Sequence, residues 1–220
     1  MSTQAGGPVA PVPAGHHAEL ATRLASRLCH DFAGPIGGVL SGVELLTDAG
    51  SPIPAEDALA LVQESARTLS SQLAFARVAF GSGDEPFASE DLVVLARNLF
   101  ETIRPTLEWD IAQVSMPSLA ARVLLNLVQL GGVALPVGGV VRPRYRREGE
   151  LHLLTVEAVG ARAVLHPEVA AGLAGEGRGE GLAGRWVQGA FVNAVVYAGG
   201  GELHAENGDG LVKFTARLPG

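Results

Sequence analysis

A histidine followed at once by an aspartate, His30-Asp31, stands in the middle of the stretch ATRLASRLCHDFAGPIGGVLSGVELL. A neutral imidazole nitrogen is a nucleophile, and with a reference pKa of about 6.5 most such groups are neutral at pH 7. The adjacent carboxylate can orient the ring, assist its proton, or meet a partner, and the sequence leaves these three roles open. Arg27, one helical turn earlier, either faces an incoming anionic group or an acidic partner surface, or is a solvated helix arginine.

The element that positions them reads as a helix. Leu24, Leu28, Phe32, Val39, Val43 and Leu46 gather along one side of it, and His30 lies roughly 200° around the helix from Leu28, at about 100° per residue. Beside His30 come Ser26, Arg27, Gly34, Gly37 and Ser41, all small except Arg27. A strip of that kind lets a second protein's backbone come close to an exposed imidazole. Gly34, Gly37 and Gly38 each cost about 1 kcal/mol in a helix interior, and Pro35 about 3. A helix used only for packing has no reason to carry that load. The competing reading is two helices broken at Gly34-Pro35, with a surface histidine near the break.

The first helix is expected to run to about Thr47, followed by a break at 48–52. A second helix opens at Pro54, with Glu56 and Asp57 in its first turn, as the helix dipole favours. Leu59, Val62, Ala66, Leu69, Leu73, Ala76 and Phe80 are spaced alternately by three and four, a heptad seam. One hairpin cannot cover both of its apolar seams, whereas two hairpins paired as a four-helix bundle can. The expectation is therefore a homodimer through residues 16–82, the alternative being a monomer that packs the seam onto its own second domain. Residues 1–15 read as a disordered tail.

Beyond a short linker, residues 86–220 change texture. Ser89-Glu90-Asp91 caps a helix expected through Ile103, and Leu107–Val114 is a strand candidate. An apolar helix follows Pro117-Ser118. Further strands are expected at Val140–Arg147, Leu151–Val159, Glu202–Ala205 and Leu211–Leu218, with a Gly-rich loop at Gly172–Gly184 and a helix over Leu182–Tyr197. The fold class is α+β: a helical hairpin, then an α/β sandwich with its helices on one sheet face.

The 220 residues include 47% hydrophobic and 18% charged side chains, ample for a globular core. A formal charge of −7 argues against nucleic-acid or anionic-membrane binding, both of which need a basic face. The single cysteine, Cys29, excludes an internal disulfide and a multi-cysteine metal site. No apolar run is long enough to span a bilayer, so a cytoplasmic protein is expected. Arg142, Arg144 and Arg146 alternate onto one strand face. They either keep an edge strand from aggregating or dock an acidic partner. Trp109, Trp186 and Tyr197 read as core, and His152, His166 and His204 receive no role.

Leu28-Cys29-His30-Asp31-Phe32-Ala33-Gly34-Pro35 resembles the phosphoacceptor box of two-component histidine kinases. With Leu24-Ala25-Ser26-Arg27 before it and Gly42-Val43-Glu44-Leu45-Leu46 after, the stretch looks more specifically like histidine phosphotransferases of the ChpT type. The resemblance implies a dimerisation hairpin carrying the phosphoacceptor His30, followed by a degenerate version of a kinase ATP-binding domain. Asn126 resembles the first Asn of a kinase helix whose magnesium-binding Asn falls four positions on, where this chain has Leu130, which cannot ligate a hard cation. Ala158 replaces the adenine-reading Asp, Arg162 the second Gly of that strand's motif, and Gly177–Leu182 is only loosely similar to the glycine lid. The resemblance thus implies no bound cofactor and no ATP use. The phosphoryl group would pass from the phospho-aspartate of a hybrid kinase's receiver domain, through His30, to response regulators, in a cell-cycle phosphorelay. The Mg2+ would belong to the receiver. Two other readings stand beside this one: a soluble histidine kinase that uses ATP directly, and a non-catalytic dimeric scaffold.

Overall fold

A computed structural model describes residues 17–176 and 183–220. The expected tail at 1–15 and the fragment 177–182 lie outside the described residues.

Helix α1, His17–Thr47, runs unbroken through Pro35, so the two-helix reading does not hold. Proline in a helix has no N–H for the carbonyl four residues back, here that of Asp31. A turn follows, in which the Gly50 amide donates to Asp48 Oδ1 at 2.9 Å and the Ser51 amide to the Asp48 carbonyl at 3.1 Å. Helix α2, Ala55–Ala79, then returns along α1, with Glu56 and Asp57 in its first turn and Arg77 in its last, both matched to the helix dipole.

The two helices meet at glycines. A Cβ on Gly38 would stand 2.3 Å from Ser65 Oγ, and one on Gly42 2.5 Å from Val62 Cγ2 and 3.0 Å from the Ala58 carbonyl oxygen. Gly34 and Gly37 are different: a Cβ on either would meet nothing within 4 Å. Two of the four glycines are therefore needed for the hairpin itself and two are not.

The rest of the chain runs β1 (Phe87–Ala88), α3 (Ser89–Phe100), β2 (Thr106–Leu107), β3 (Ser115–Met116), α4 (Ser118–Val133), β4 (Val140–Glu148), β5 (Leu151–Val159), α5 (Pro167–Leu173), α6 (Ala183–Ala198), β6 (Glu202–Gly208) and β7 (Leu211–Pro219). Five strands form one sheet in the order β2-β4-β5-β7-β6, antiparallel except for β2 beside β4. Strand alternation buries His152, Leu154, Val156 and Ala158 of β5 with Val212, Phe214, Ala216 and Leu218 of β7. Helix α4 packs on β4, β5 and β7 and on α6, and its largely apolar sequence reflects burial on nearly every side. Gly149, at φ +63°, makes the tight turn between β4 and β5.

Several boundaries differ from the sequence expectation. Helix α3 stops at Phe100, short of Ile103. The strand expected over Leu107–Val114 resolves into two-residue strands at either end, one in the main sheet and one paired with β1. Helix α5 was not anticipated, although Pro167 in its first turn and Glu168 beside it form a helix-start signal.

The hairpin is not a separate body. Phe75 and Ala79 of α2 belong to the same buried cluster as Leu92, Leu124 and Leu127. Near the start of α1, Leu20 is buried with Trp186, Val187 and Ala190 of α6, and Leu24 packs against them.

Candidate functional site

His30 sits on the outer face of α1 with its side chain 90% exposed, as the helical wheel anticipates. Its Nδ1 lies 3.5 Å from Asp31 Oδ1, and the other Asp31 oxygen lies 3.6 Å from Arg27 Nε. Asp31 thus stands between the ring and a guanidinium. A carboxylate can only accept, so a contact with Nδ1 favours the tautomer protonated there and leaves the free lone pair on Nε2.

Arg27 is largely covered, and this decides between the roles left open for it. Burial lowers its pKa from the usual arginine value, while the charge of Asp31 and the hydrogen bond to it act in the opposite sense. It is a held cation one turn from His30, not a solvated one. Ser26, Gly34 and Ser41 are exposed along the same face, with Pro35 and Gly37 half-buried among them. Since a Cβ on Gly34 or Gly37 would touch nothing in this chain, their smallness leaves room outside it.

An open cavity of about 440 Å³ adjoins the ring, bordered on α1 by Arg23, Ser26, Arg27, His30 and Asp31 and across from it by Gly184 and Val187 at the start of α6. The sequence reading missed these two α6 residues. Only the tertiary packing of α6 on Leu20 and Leu24 brings them there, and no local signal marks them. The cavity leaves the imidazole open: the described residues of the second part of the chain flank His30 without covering it.

The arginines of β4 are not brought to His30. They lie on the sheet, each facing a carboxylate of this chain: Arg142 Nε donates to Glu108 Oε2 at 2.6 Å, Arg144 lies 3.8 Å from Asp110 and 3.7 Å from Glu157, and Arg146 4.0 Å from Glu148. Of the residues read against a nucleotide site, Leu130 and Ala158 are both buried in the core. Trp186 is fully buried and Trp109 packs against the core, while Tyr197 is half-buried. His152 is buried, with its Nδ1 2.7 Å from the Tyr145 hydroxyl. No described helix is long and apolar enough to cross a membrane.

The chain is 37% identical over 129 residues to the protein phosphotransferase ChpT of Brucella abortus (strain 2308), a match spanning 57% of this chain and 60% of that protein. A solved bacterial phosphotransferase superposes with a TM-score of 0.79 at 28% identity, over 96% of this chain and all of that one. The histidine kinase AdeS of Acinetobacter baumannii aligns over 86% of this chain and 97% of its own at 17% identity, with a TM-score of 0.49. The family described as the histidine phosphotransferase C-terminal domain matches residues 89–210, more than half of the sequence, and the chain belongs to that family.

Proposed function

We propose that the chain is a histidine phosphotransferase that relays a phosphoryl group between receiver domains, and the observation that carries this reading is the exposed imidazole of His30 beside an open cavity. The Nε2 lone pair attacks the phosphorus of an aspartyl phosphate in line. The N–P bond forms as the P–O bond to the aspartate breaks, and the electron pair leaves with the carboxylate. The ring becomes cationic while keeping its Nδ1 proton, and Asp31 stabilises that charge. Transfer to a second receiver's aspartate reverses these steps. Arg27 holds Asp31 in place and sets a positive charge near the incoming phosphoryl group. The small side chains of Ser26, Gly34, Gly37 and Ser41, with the turn at Pro35, form the landing surface.

The donor in this reading is the receiver domain of a hybrid histidine kinase, and the acceptors are response regulators, in a bacterial cell-cycle relay within the cytoplasm. Mg2+ and the acidic pocket that holds it belong to the receiver. The chain itself holds no cofactor and does not use ATP, a reading supported by the burial of Leu130 and Ala158 at the positions aligned with nucleotide-site residues. Residues 16–82 act as the dimerisation and phosphoacceptor unit and 86–220 as its flanking domain. Dimerisation is supported by apolar side chains left in water on both hairpin helices: Ile36, Leu40 and Val43 on α1, and Leu59 and Leu73 on α2, with Leu40 58% exposed and Leu73 49%. Arg142, Arg144 and Arg146, paired with acids of their own chain, keep the exposed length of β4 soluble.

Labelled ATP and a labelled phospho-receiver, each incubated with the protein, separate the readings. The relay takes label from the receiver alone. Autophosphorylation from ATP makes the protein a kinase, and no label from either source makes it a scaffold.

A further inference from the structure

Helix α4 is built of leucine, valine and alanine, yet at its centre Asn126 is fully buried. Its Nδ2 donates to the Ala79 carbonyl at 2.7 Å and to the Arg122 carbonyl at 2.9 Å. Ala79 is the last residue of α2, whose final carbonyls have no partner within their own helix. A side chain of one part of the molecule therefore caps a helix of the other. On its other side, Asn126 Oδ1 accepts from Gln188 Nε2 at 3.3 Å, and the same amide donates to Gln129 Oε1.

Gln188 belongs to the turn of α6 that borders the phosphoacceptor. Val187, the residue before it, lines the cavity beside His30, and Trp186 packs against Leu20 and Leu24 of α1. One turn further, Phe191 meets Phe80 at the end of α2 edge to face, with centroids 5.2 Å apart. Asn126 is thus bonded both to α2 and to the helix that forms the wall opposite His30. A leucine at 126 would fill much the same space, but Gln188 Nε2 would lose the Oδ1 acceptor and the Ala79 carbonyl its donor, beside a Gln188 Oε1 that is already buried without a partner among the described residues. What directional amides add, and leucine does not, is a single fixed register for the three helices.

We propose that Asn126 is a positioning residue for phosphotransfer. By bonding the end of α2 and Gln188 of α6 together, it sets the gap between His30 and the Gly184–Val187 wall, and with it the fit of the docked receiver. This rests on the relay reading of His30. It assigns a task to a side chain that touches neither the phosphoryl group nor the partner.

The test compares two donors on the full chain: receiver domains charged with acetyl phosphate and Mg2+, and phosphoramidate, which needs only an exposed imidazole. Asn126→Ala and Gln188→Met are the variants, the second retaining volume while removing the amide, so that it decides the matter should the first not fold. Phosphoramidate is expected to label His30 in the variants at the wild-type rate. Transfer from the receiver is expected to fall by about tenfold or more, on the scale that small misplacements cost. The loss should appear as a higher receiver concentration at half-maximal rate. Equal slowing with both donors, or no slowing with either, overturns the proposal. Failure of wild-type His30 to accept from the charged receivers, while phosphoramidate still labels it, removes the relay reading and this proposal with it.

Discussion

His30 and Asp31 are neighbours in the chain, and in the folded helix Nδ1 of the one stands 3.5 Å from Oδ1 of the other while the imidazole remains open to solvent. The carboxylate is held in turn by Arg27. Removing its charge while keeping its shape is therefore the mildest way to probe the ring. In Asp31→Asn the amide oxygen can still accept from Nδ1, but the cationic phosphoimidazole loses its counter-charge. Transfer should slow by about tenfold to a hundredfold, at or below the low end of what a positioned acid–base group contributes. The rate of receiver-to-His30 transfer checks this, with circular dichroism expected to be unchanged.

The four glycines of α1 should part into two classes. Gly42→Ala forces a methyl against Val62 and the Ala58 carbonyl and should destabilise the protein by about 1–3 kcal/mol, as overpacking does. Gly34→Ala meets nothing in the chain and should stabilise the helix by up to about 1 kcal/mol. It should nevertheless weaken transfer, because the added methyl points into the landing surface. Thermal unfolding and a transfer assay on both variants make the comparison.

Much of this was legible in the sequence because it is local. The 31-residue α1 and the exposed side of His30 follow from residue spacing alone. The heptad seam expected on α2 is not the face it buries within the chain: Ala58, Phe75 and Ala79 are buried, while Leu59, Ala66 and Leu73 are exposed. Which glycine does what was not legible, since Gly37 and Gly38 differ only in which way a methyl would point once α2 is in place. Nor were Gly184 and Val187, which reach His30 through packing between segments far apart in sequence. The continuity of α1 through Pro35 was open until the fold supplied flanking turns long enough to absorb one missing hydrogen bond. The two-residue strands β2 and β3 are too short for any period to show.

The water-facing apolar residues of the hairpin give a prediction about assembly. Leu40→Glu and Leu73→Glu each place a charge on a stripe that the relay reading buries in a four-helix bundle. Sedimentation should show a dimer for the wild type and a monomer for the variants. A wild-type monomer would mean that the stripes face something other than a second copy.

His152 sets part of the pH dependence of stability. Burial, and then the charge of Arg147, lower its pKa below the ordinary histidine value. A histidine depressed in the folded state takes up its proton more readily when unfolded. Its contribution is therefore complete above about pH 6.5, the unfolded value, and is lost as pH falls through the lower folded one. Denaturant midpoints should decline on acidification below about pH 6.5, and His152→Gln should flatten that part of the curve.

The most direct test of the relay is to mix the protein with a labelled phospho-receiver and locate the phosphate residue by residue. The account predicts an acid-labile, alkali-stable phosphate on His30 Nε2, absent from a His30→Ala variant that still folds. Phosphate on any other residue, or undiminished transfer through His30→Ala, would contradict it.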